Sequence, residues 1–272
     1  MIELKDRGDK AEIDQAHVLA VAMQAGHILL ENGAEIARVE ETMERIAEAY
    51  GVEYRNFFVL SNGIFTTGLT SDHENARWRT FAKVEHIPVK GTSLDRVVAV
   101  NQLSRDVASG KYTLDEASDR LEEIRQMPGK PAWLQILASG IGSACFAVIF
   151  GGTLWDAVPA FLAGLLLWVF MIRAGSMSKI LRNIMGGALV TGISILLFHL
   201  GLGDDLSHII IGCIIPLVPG VPFTNGIRDI ADGDYISGSV RLLDAMLVFL
   251  CIAIGVGLMF HIYVHCFGGV LL

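Results

Sequence analysis

Met127-Pro128-Gly129-Lys130-Pro131-Ala132-Trp133-Leu134-Gln135-Ile136-Leu137-Ala138 is the stretch at which the chain changes character. Before Pro131 there are 16 Lys or Arg and 22 Asp or Glu; from Pro131 onward there are five and seven. Working outward from this boundary, residues 1–130 read as a charged, water-facing region and residues 131–272 as an apolar one. The expected fold is an α+β cytoplasmic domain over 1–130, followed over 131–272 by an all-α bundle of about five transmembrane helices, one of them interrupted by proline.

A helix rising about 1.5 Å per residue needs roughly 20 apolar residues to cross the hydrocarbon core of a bilayer. Such segments fall at 132–152, 155–172 and 181–200. A shorter fourth at 208–223 carries Pro216, Pro219 and Pro222, and a long fifth runs over 242–266. Arg173, Lys179, Arg182, Arg228 and Arg241 all lie in or beside the loops that share a side with the first 130 residues, whereas Asp156, Asp204 and Asp205 mark the opposite loops. Positive charge concentrates on the cytoplasmic side of membrane proteins, so the amino terminus is expected inside and the carboxyl terminus outside. Trp133 and Trp155 sit near helix ends, as interfacial anchors do. Gly140, Gly142, Gly186, Gly187, Gly192, Gly255 and Gly257 predict close helix packing. The four cysteines lack metal or disulfide spacing and read as buried free thiols.

In the first region, 13–30 and 34–50 read as helices closed by Asn32-Gly33 and Gly51. Residues 54–60 and 64–67 read as strands around a turn at Ser61-Asn62-Gly63, and 78–87 as a third strand. Ser93 is a candidate cap for a helix to about 109, and Thr113 with Glu116 forms a capping box for the next. The absence of a Lys/Arg cluster in an acidic region argues against nucleic acid as a partner. Ser61, Thr66, Thr67, His73 and His86 could furnish a nucleophile and base, but no elbow, metal or phosphate motif surrounds them, and no catalytic residue, metal site or cofactor is expected.

The chemistry is expected at Pro216-Leu217-Val218-Pro219-Gly220-Val221-Pro222-Phe223-Thr224-Asn225-Gly226-Ile227-Arg228-Asp229, followed by Asp232, Asp234, Ser237, Arg241 and Asp244. Each proline removes a backbone donor, and a broken helix frees backbone groups that only a cavity or neighbouring protein can satisfy. Discontinuous helices of this kind build substrate sites in secondary transporters. The candidate substrate-binding residues are Pro219, Gly220, Thr224, Asn225, Arg228, Asp229 and Asp234, with Arg228 for a carboxylate and Asp229 or Asp234 for an amine or proton. The competing reading is a short helix followed by a solvated loop with paired charges. Asp244, at the start of the fifth helix, reads equally as a cap or partner of Arg241 and as a transport residue. His261 and His265, four apart, read as interface histidines rather than a metal pair, and His199 and His208 bracket an outer loop with Asp204 and Asp205.

Gly33-Ala34-Glu35-Ile36-Ala37-Arg38-Val39-Glu40-Glu41-Thr42-Met43, the Thr113-Leu114-Asp115-Glu116-Ala117 helix start, Pro219-Gly220-Val221-Pro222, Thr224 to Asp229 and Gly233-Asp234-Tyr235-Ile236-Ser237-Gly238 together resemble the threonine/serine exporter family, in particular the larger, YjjP-like subunit of its split two-component form. The resemblance implies an exporter of small hydrophilic carboxylate solutes, either threonine and serine or succinate-like dicarboxylates, in the bacterial inner membrane. It also implies a second small multi-span subunit supplying the other half, and a higher oligomer is compatible with it. The stretch from Asn32-Gly33 to Met43, with Glu31, Glu35, Arg38, Glu40, Glu41 and Glu44, reads mostly as a solvated face; if it has a task, that task is docking onto the inner mouth as a gate. Two rival readings are a membrane-tethered hydrolase-like enzyme and a solute-sensing regulatory subunit.

Overall fold

A computed structural model describes residues 15–72, 77–88 and 91–267 of the 272-residue chain. Its residues form two compact units: 1–128 with 221–242, and 129–220 with 243–272. Helix α10 contributes residues to both.

The first unit is built on two long helices, α1 (Gln15–Glu31) and α2 (Ile36–Ala49), packed on each other and on a three-stranded antiparallel sheet of order β1-β2-β3: β1 (Arg55–Leu60), β2 (Gly63–Asp72) and β3 (Arg77–His86). α1 is apolar almost all round, because both the sheet and neighbouring helices cover it: Leu19, Met23, Ile28, Leu29 and Leu30 are fully buried. Each such side chain removed from water contributes about 1.5–3 kcal/mol. α2 presents Val39, Met43 and Ile46 to the same core, at the spacing its sequence indicates. Gly33 and Gly51 adopt φ values of 78° and 79°, the left-handed conformation that ends a helix at low cost, so both expected stops are in place.

Leu60 pairs with Gly63, so the β1–β2 turn is Ser61-Asn62 alone and Gly63 is the first residue of β2. The glycine is needed there for space: a Cβ would stand 3.2 Å from the Glu85 carbonyl oxygen. α3 (Leu94–Ala108) and α4 (Leu114–Arg125) complete this part. The Thr113–Glu116 capping box forms as expected. Ser93 occupies the N-cap of α3, but its side chain makes no capping bond, a correction to the sequence reading. Tyr50, half-buried at the end of α2, donates to the carbonyls of Tyr112 and Thr113; burial and then the Glu116 carboxylate push its hydroxyl up to about 12.

The second unit contains α5 (Ala132–Ile149), α6 (Ala157–Arg173), α7 (Lys179–His199) and α8 (Leu206–Ile214), together with the greater part of α10 (Tyr235–Phe267). α5, α6, α7 and α10 are long and apolar enough to cross a membrane, and α8 with its 3-10 turn at Ile215–Leu217 forms with α9 (Gly220–Ala231) a pair bent by 65° that makes a possible fifth span. Helix–helix contacts are made by small residues. A Cβ at Gly187 would sit 2.7 Å from the Ile252 carbonyl oxygen, and one at Gly255 would meet the Ile184 carbonyl, so α7 and α10 touch backbone to backbone. Ser139 on α5 donates to the Gly164 carbonyl of α6 at 2.9 Å.

Two sequence expectations are corrected in this unit. Cys213 and Cys251 are buried, but Cys145 is exposed on the outward face of α5, beside Ile141 and Val148; the Cys266 side chain lies outside the described residues. Asp244 pairs with Lys179 at 2.5 Å rather than with Arg241. The Asp204–Asp205 loop is fastened by Asp156, whose Oδ1 accepts the N–H groups of Asp204 (2.6 Å) and Asp205 (2.9 Å) and whose Oδ2 accepts that of Thr153 (2.7 Å). Burial opposes its charge, yet these backbone donors outweigh burial and hold the carboxyl below its ordinary value.

Candidate functional site

The polar stretch after the prolines is helical rather than a solvated loop. α9 continues to Ala231, and α10 begins at Tyr235 instead of near 242, leaving Asp232-Gly233-Asp234 as the connection. Pro222 falls in the first turn of α9, where a backbone donor has no helical partner to lose. Pro219 and Gly220 form the bend between the 3-10 turn and α9, and they belong to the second unit. Thr224, Asn225, Arg228, Asp229 and Asp234 belong to the first.

Gly226 and Gly238 set the geometry of the α9–α10 corner. A Cβ on Gly238 would lie 2.8 Å from the Gly226 carbonyl oxygen, and one on Gly226 would lie 3.1 Å from the Gly238 carbonyl oxygen. The two helices therefore cross glycine on glycine. Residues three positions on from these contacts, Asp229 and Arg241, meet: Arg241 Nη1 stands 3.0 Å from Asp229 Oδ2, with 10% and 2% of the side chains exposed. Asp234 stabilises the start of α10 by accepting the Ser237 N–H at 3.0 Å.

The α1–α2 turn grips this corner. Asn225 Nδ2 donates to the Gly33 carbonyl (2.9 Å), Arg241 Nη2 donates to the Ala34 carbonyl (2.9 Å), and the Ile36 N–H donates to Asp229 Oδ1 (3.3 Å). Glu35 forms an ion pair with Arg228. The left-handed Gly33 lets the chain reverse so that two carbonyls, a carboxylate and an N–H all face one way. Nearby Glu40 accepts the Val59 N–H at 3.1 Å; burial raises its carboxyl above the ordinary value against that bond, and the Asp234 carboxylate adds to the rise.

The cluster is charged, largely buried and incompletely hydrogen-bonded. Among the described residues, Asp234 Oδ2 and Ser237 Oγ are buried without a hydrogen-bond partner, while Asp229 Oδ2 and Arg241 Nη1 have only each other, 3.0 Å apart. Buried polar atoms are nearly always satisfied, so a corner with two orphans and a singly partnered pair can take a further polar group. Arg228 and Arg241 offer planar forks suited to carboxylates, each already engaged by a carboxylate of the protein.

Of the seven residues expected to bind substrate, Asn225, Arg228, Asp229 and Asp234 come together here, while Thr224 is exposed and donates to the Val221 carbonyl. Glu35, the Gly33 and Ala34 carbonyls and Ser237 enter from outside that set, and Arg241 moves to its centre. The available signal was Asn225, Arg228 and Asp229 at i, i+3 and i+4, one face of a helix. Among the described residues the nucleophile and base candidates do not come together: Thr66 is buried and Thr67 exposed on opposite faces of β2, and His86 is exposed; His73 lies outside the described residues. Among the described residues no three His, Cys, Asp or Glu side chains are grouped to hold a metal. His265 instead bonds the His261 carbonyl at 3.1 Å.

Several apolar spans, with a buried charge cluster at the end of a proline-broken helix pair, mark a multi-span membrane protein, and the family it matches is one of transporters. Residues 20–263 match the family described as "Putative threonine/serine exporter", and the chain belongs to that family. It is 27% identical over 260 residues to the "Probable succinate transporter subunit YjjP" of Klebsiella aerogenes, covering 92% of this chain and 95% of that one. It is 26% identical to the protein of the same description in Escherichia coli, covering 89% and 93%. To the "Probable threonine/serine exporter" of Mycobacterium tuberculosis it is 21% identical, over 90% of this chain and 46% of that one. No solved structure matches.

Proposed function

We propose that the chain is one half of a two-subunit secondary exporter of small hydrophilic carboxylate solutes, with the Glu35–Arg228 and Asp229–Arg241 pairs as its inner gate and first binding site. The observation that carries this reading is the buried, under-bonded Asp229–Arg241 pair at the end of a broken helix. Removing one partner of a buried ion pair leaves a charge uncompensated, at about 3–5 kcal/mol. A solute carboxylate avoids that cost by taking the place of Glu35 on the exposed Arg228, or of Asp229 on Arg241 with Asp229 taking up a proton as it leaves, so the latch opens when a carboxylate arrives and closes otherwise. The α1–α2 turn moves with Glu35 in this scheme, which gives the first unit its gating role.

In this reading residues 1–130 face the cytoplasm, because Arg173, Lys179, Arg182, Arg228 and Arg241 gather on that side and Asp156, Asp204 and Asp205 on the other. The protein sits in the bacterial inner membrane with its carboxyl terminus outside. A partner of opposite orientation supplies the second half, as in inverted-repeat carriers whose sites form between two halves. The subunit description of the Klebsiella and Escherichia relatives supports a multi-chain assembly, and their names point to succinate-like dicarboxylates while the family description and the Mycobacterium relative point to threonine and serine. The test is efflux of labelled succinate, serine and threonine from vesicles holding this chain with and without its partner. Efflux of one solute only with both chains, abolished by Arg241→Gln, supports the proposal; efflux that is indifferent to Arg241→Gln removes the cluster from the mechanism.

A further inference from the structure

A second polar site lies in the first unit, on the opposite flank of the sequence from the α9–α10 corner. Among the mostly buried residues of α1, Ala20, Gln24 and His27 recur at i, i+4 and i+7 and are only half-buried. That face lines a cavity of about 280 Å³ whose other polar walls are Lys83 and Glu85 from β3 and Arg125 from α4. Glu85 is the organising group. Its Oε1 stands 2.7 Å from His27 Nδ1 and its Oε2 3.5 Å from Lys83 Nζ, so one carboxylate fixes two side chains from different elements along one wall. Arg125 is tethered from outside by Glu122 at 3.5 Å.

The donor count is unbalanced. Lys83, Arg125, Gln24 and His27 bring N–H groups to the cavity, and the acceptors among its lining side chains are the Glu85 carboxylate, the Gln24 carbonyl and the second ring nitrogen of a neutral His27; of the carboxylates that pair the two cations, Glu85 lines the cavity and Glu122 does not. A structural His–Glu bridge between helix and strand needs neither the lysine nor the arginine beside it. The excess of positive donors is also local, because residues 1–130 carry more acidic than basic side chains. Volume limits the occupant to a small metabolite.

We propose that this cavity binds a small carboxylate-bearing solute, its carboxylate held between Lys83 and Arg125. Gln24 and the His27–Glu85 pair then face the rest of the molecule. If that remainder carries an ammonium group, Glu85 receives it; if it carries a second carboxylate, Gln24 and His27 donate to it. α1 continues from His27 to the Gly33–Ile36 turn that grips Asp229 and Arg241, so an occupant here bears on the helix that leads to the gate. The binding claim itself does not depend on what the Asp229–Arg241 cluster transports.

The test is calorimetric titration of the full chain in detergent micelles with succinate, with L-serine and, as a plain anion, with sulfate. It is run on the unaltered protein, on Arg228→Ala and, in the Arg228→Ala background, on the double variant Lys83→Gln with Arg125→Gln. Lys83 and Arg125 are about half-exposed, so the double variant is expected to fold, and an unchanged melting curve checks it. The expected result is saturable binding of succinate or serine that persists in Arg228→Ala and weakens at least about tenfold in the double variant, as loss of charged hydrogen bonds entails. The His27 ring resonances should shift during the same titration. Succinate binding alone assigns a dicarboxylate site, and serine binding assigns Glu85 to the ammonium. Binding unchanged in the double variant, binding of sulfate as tight as that of the carboxylates, or no saturable binding of succinate or serine would each overturn the proposal.

Discussion

The two units differ in what they bury, although the second also encloses a few large side chains such as Leu167 and Ile209. The first hides large side chains, with Leu19, Met23, Ile28, Leu29, Leu30, Met43, Ile46, Ile64, Ile87 and Leu121 all fully enclosed, and keeps most of its charges at the surface, the Asp229–Arg241 pair excepted. The second hides Ser139, Gly140, Ser143, Ala147, Ala160, Ala163, Gly164, Gly187, Thr191 and Ser194, and exposes Ile141, Leu162, Leu166, Met185, Leu196, Leu250 and Leu258. Water drives large apolar groups inward in the first case. Lipid offers no such drive in the second, and close backbone approach through small residues holds the helices instead. The cavity that would form on truncation is therefore the weak point of one unit, and the space that would be filled on enlargement is the weak point of the other.

That contrast orders the expected effects of substitution. Leu29→Ala in the first unit should cost about 2–5 kcal/mol, read as a lowered unfolding midpoint of the purified protein. Gly187→Leu in the second should cost about 1–3 kcal/mol by forcing α7 off α10, read as loss of helix packing in detergent, while Leu258→Ala on the exposed face leaves the midpoint nearly unchanged. Equal sensitivity of the two units to truncation would break the comparison. Thr113→Ala removes one half of the α4 capping box and should cost about 1 kcal/mol. Lys179→Ala, which opens the half-exposed pair with Asp244, should cost no more than about 1 kcal/mol and should matter less as salt is added.

Glu40 sharpens the picture from the side of pH. Burial raises its carboxyl in the folded protein, so the folded state holds the proton more tightly than the unfolded one. Stability from this group therefore falls as pH rises from the ordinary value of 4.5 through the raised one, and the penalty persists above it. Glu40→Gln should raise the melting temperature at neutral pH, with the gain vanishing below pH 4.5; a gain that is the same at all pH values would contradict this.

Much of the architecture was legible in the sequence because solvent leaves a simple mark. Charge thins sharply after Lys130, four apolar runs are long enough to span, and the α1, α2 and α4 patterns repeat at helical spacing. The helical state of 224–231 and 235–241 was hidden because their polar side chains look like those of a loop, and only the glycine-on-glycine corner, invisible in one dimension, lets Asp229 and Arg241 be buried as a pair. Asn225, Arg228, Asp229 and Asp234 could be picked out by their place after the prolines. Glu35 could not, because its partner Arg228 lies 193 residues away and in sequence it is one more acid on a helix rich in them. Lys83, Glu85 and Arg125 escaped for the same reason, as each looks like an ordinary surface charge until α1 closes the cavity beside them.

The central claim is that the Asp229–Arg241 pair is a gate that a solute carboxylate opens. It is tested most directly by efflux of labelled succinate from vesicles containing both subunits, comparing the unaltered chain with Arg241→Gln and with Glu35→Gln. The account predicts that Arg241→Gln abolishes efflux, whereas Glu35→Gln, which frees Arg228 without stranding a buried charge, leaks solute faster than the unaltered chain. Efflux unchanged in both variants would contradict it.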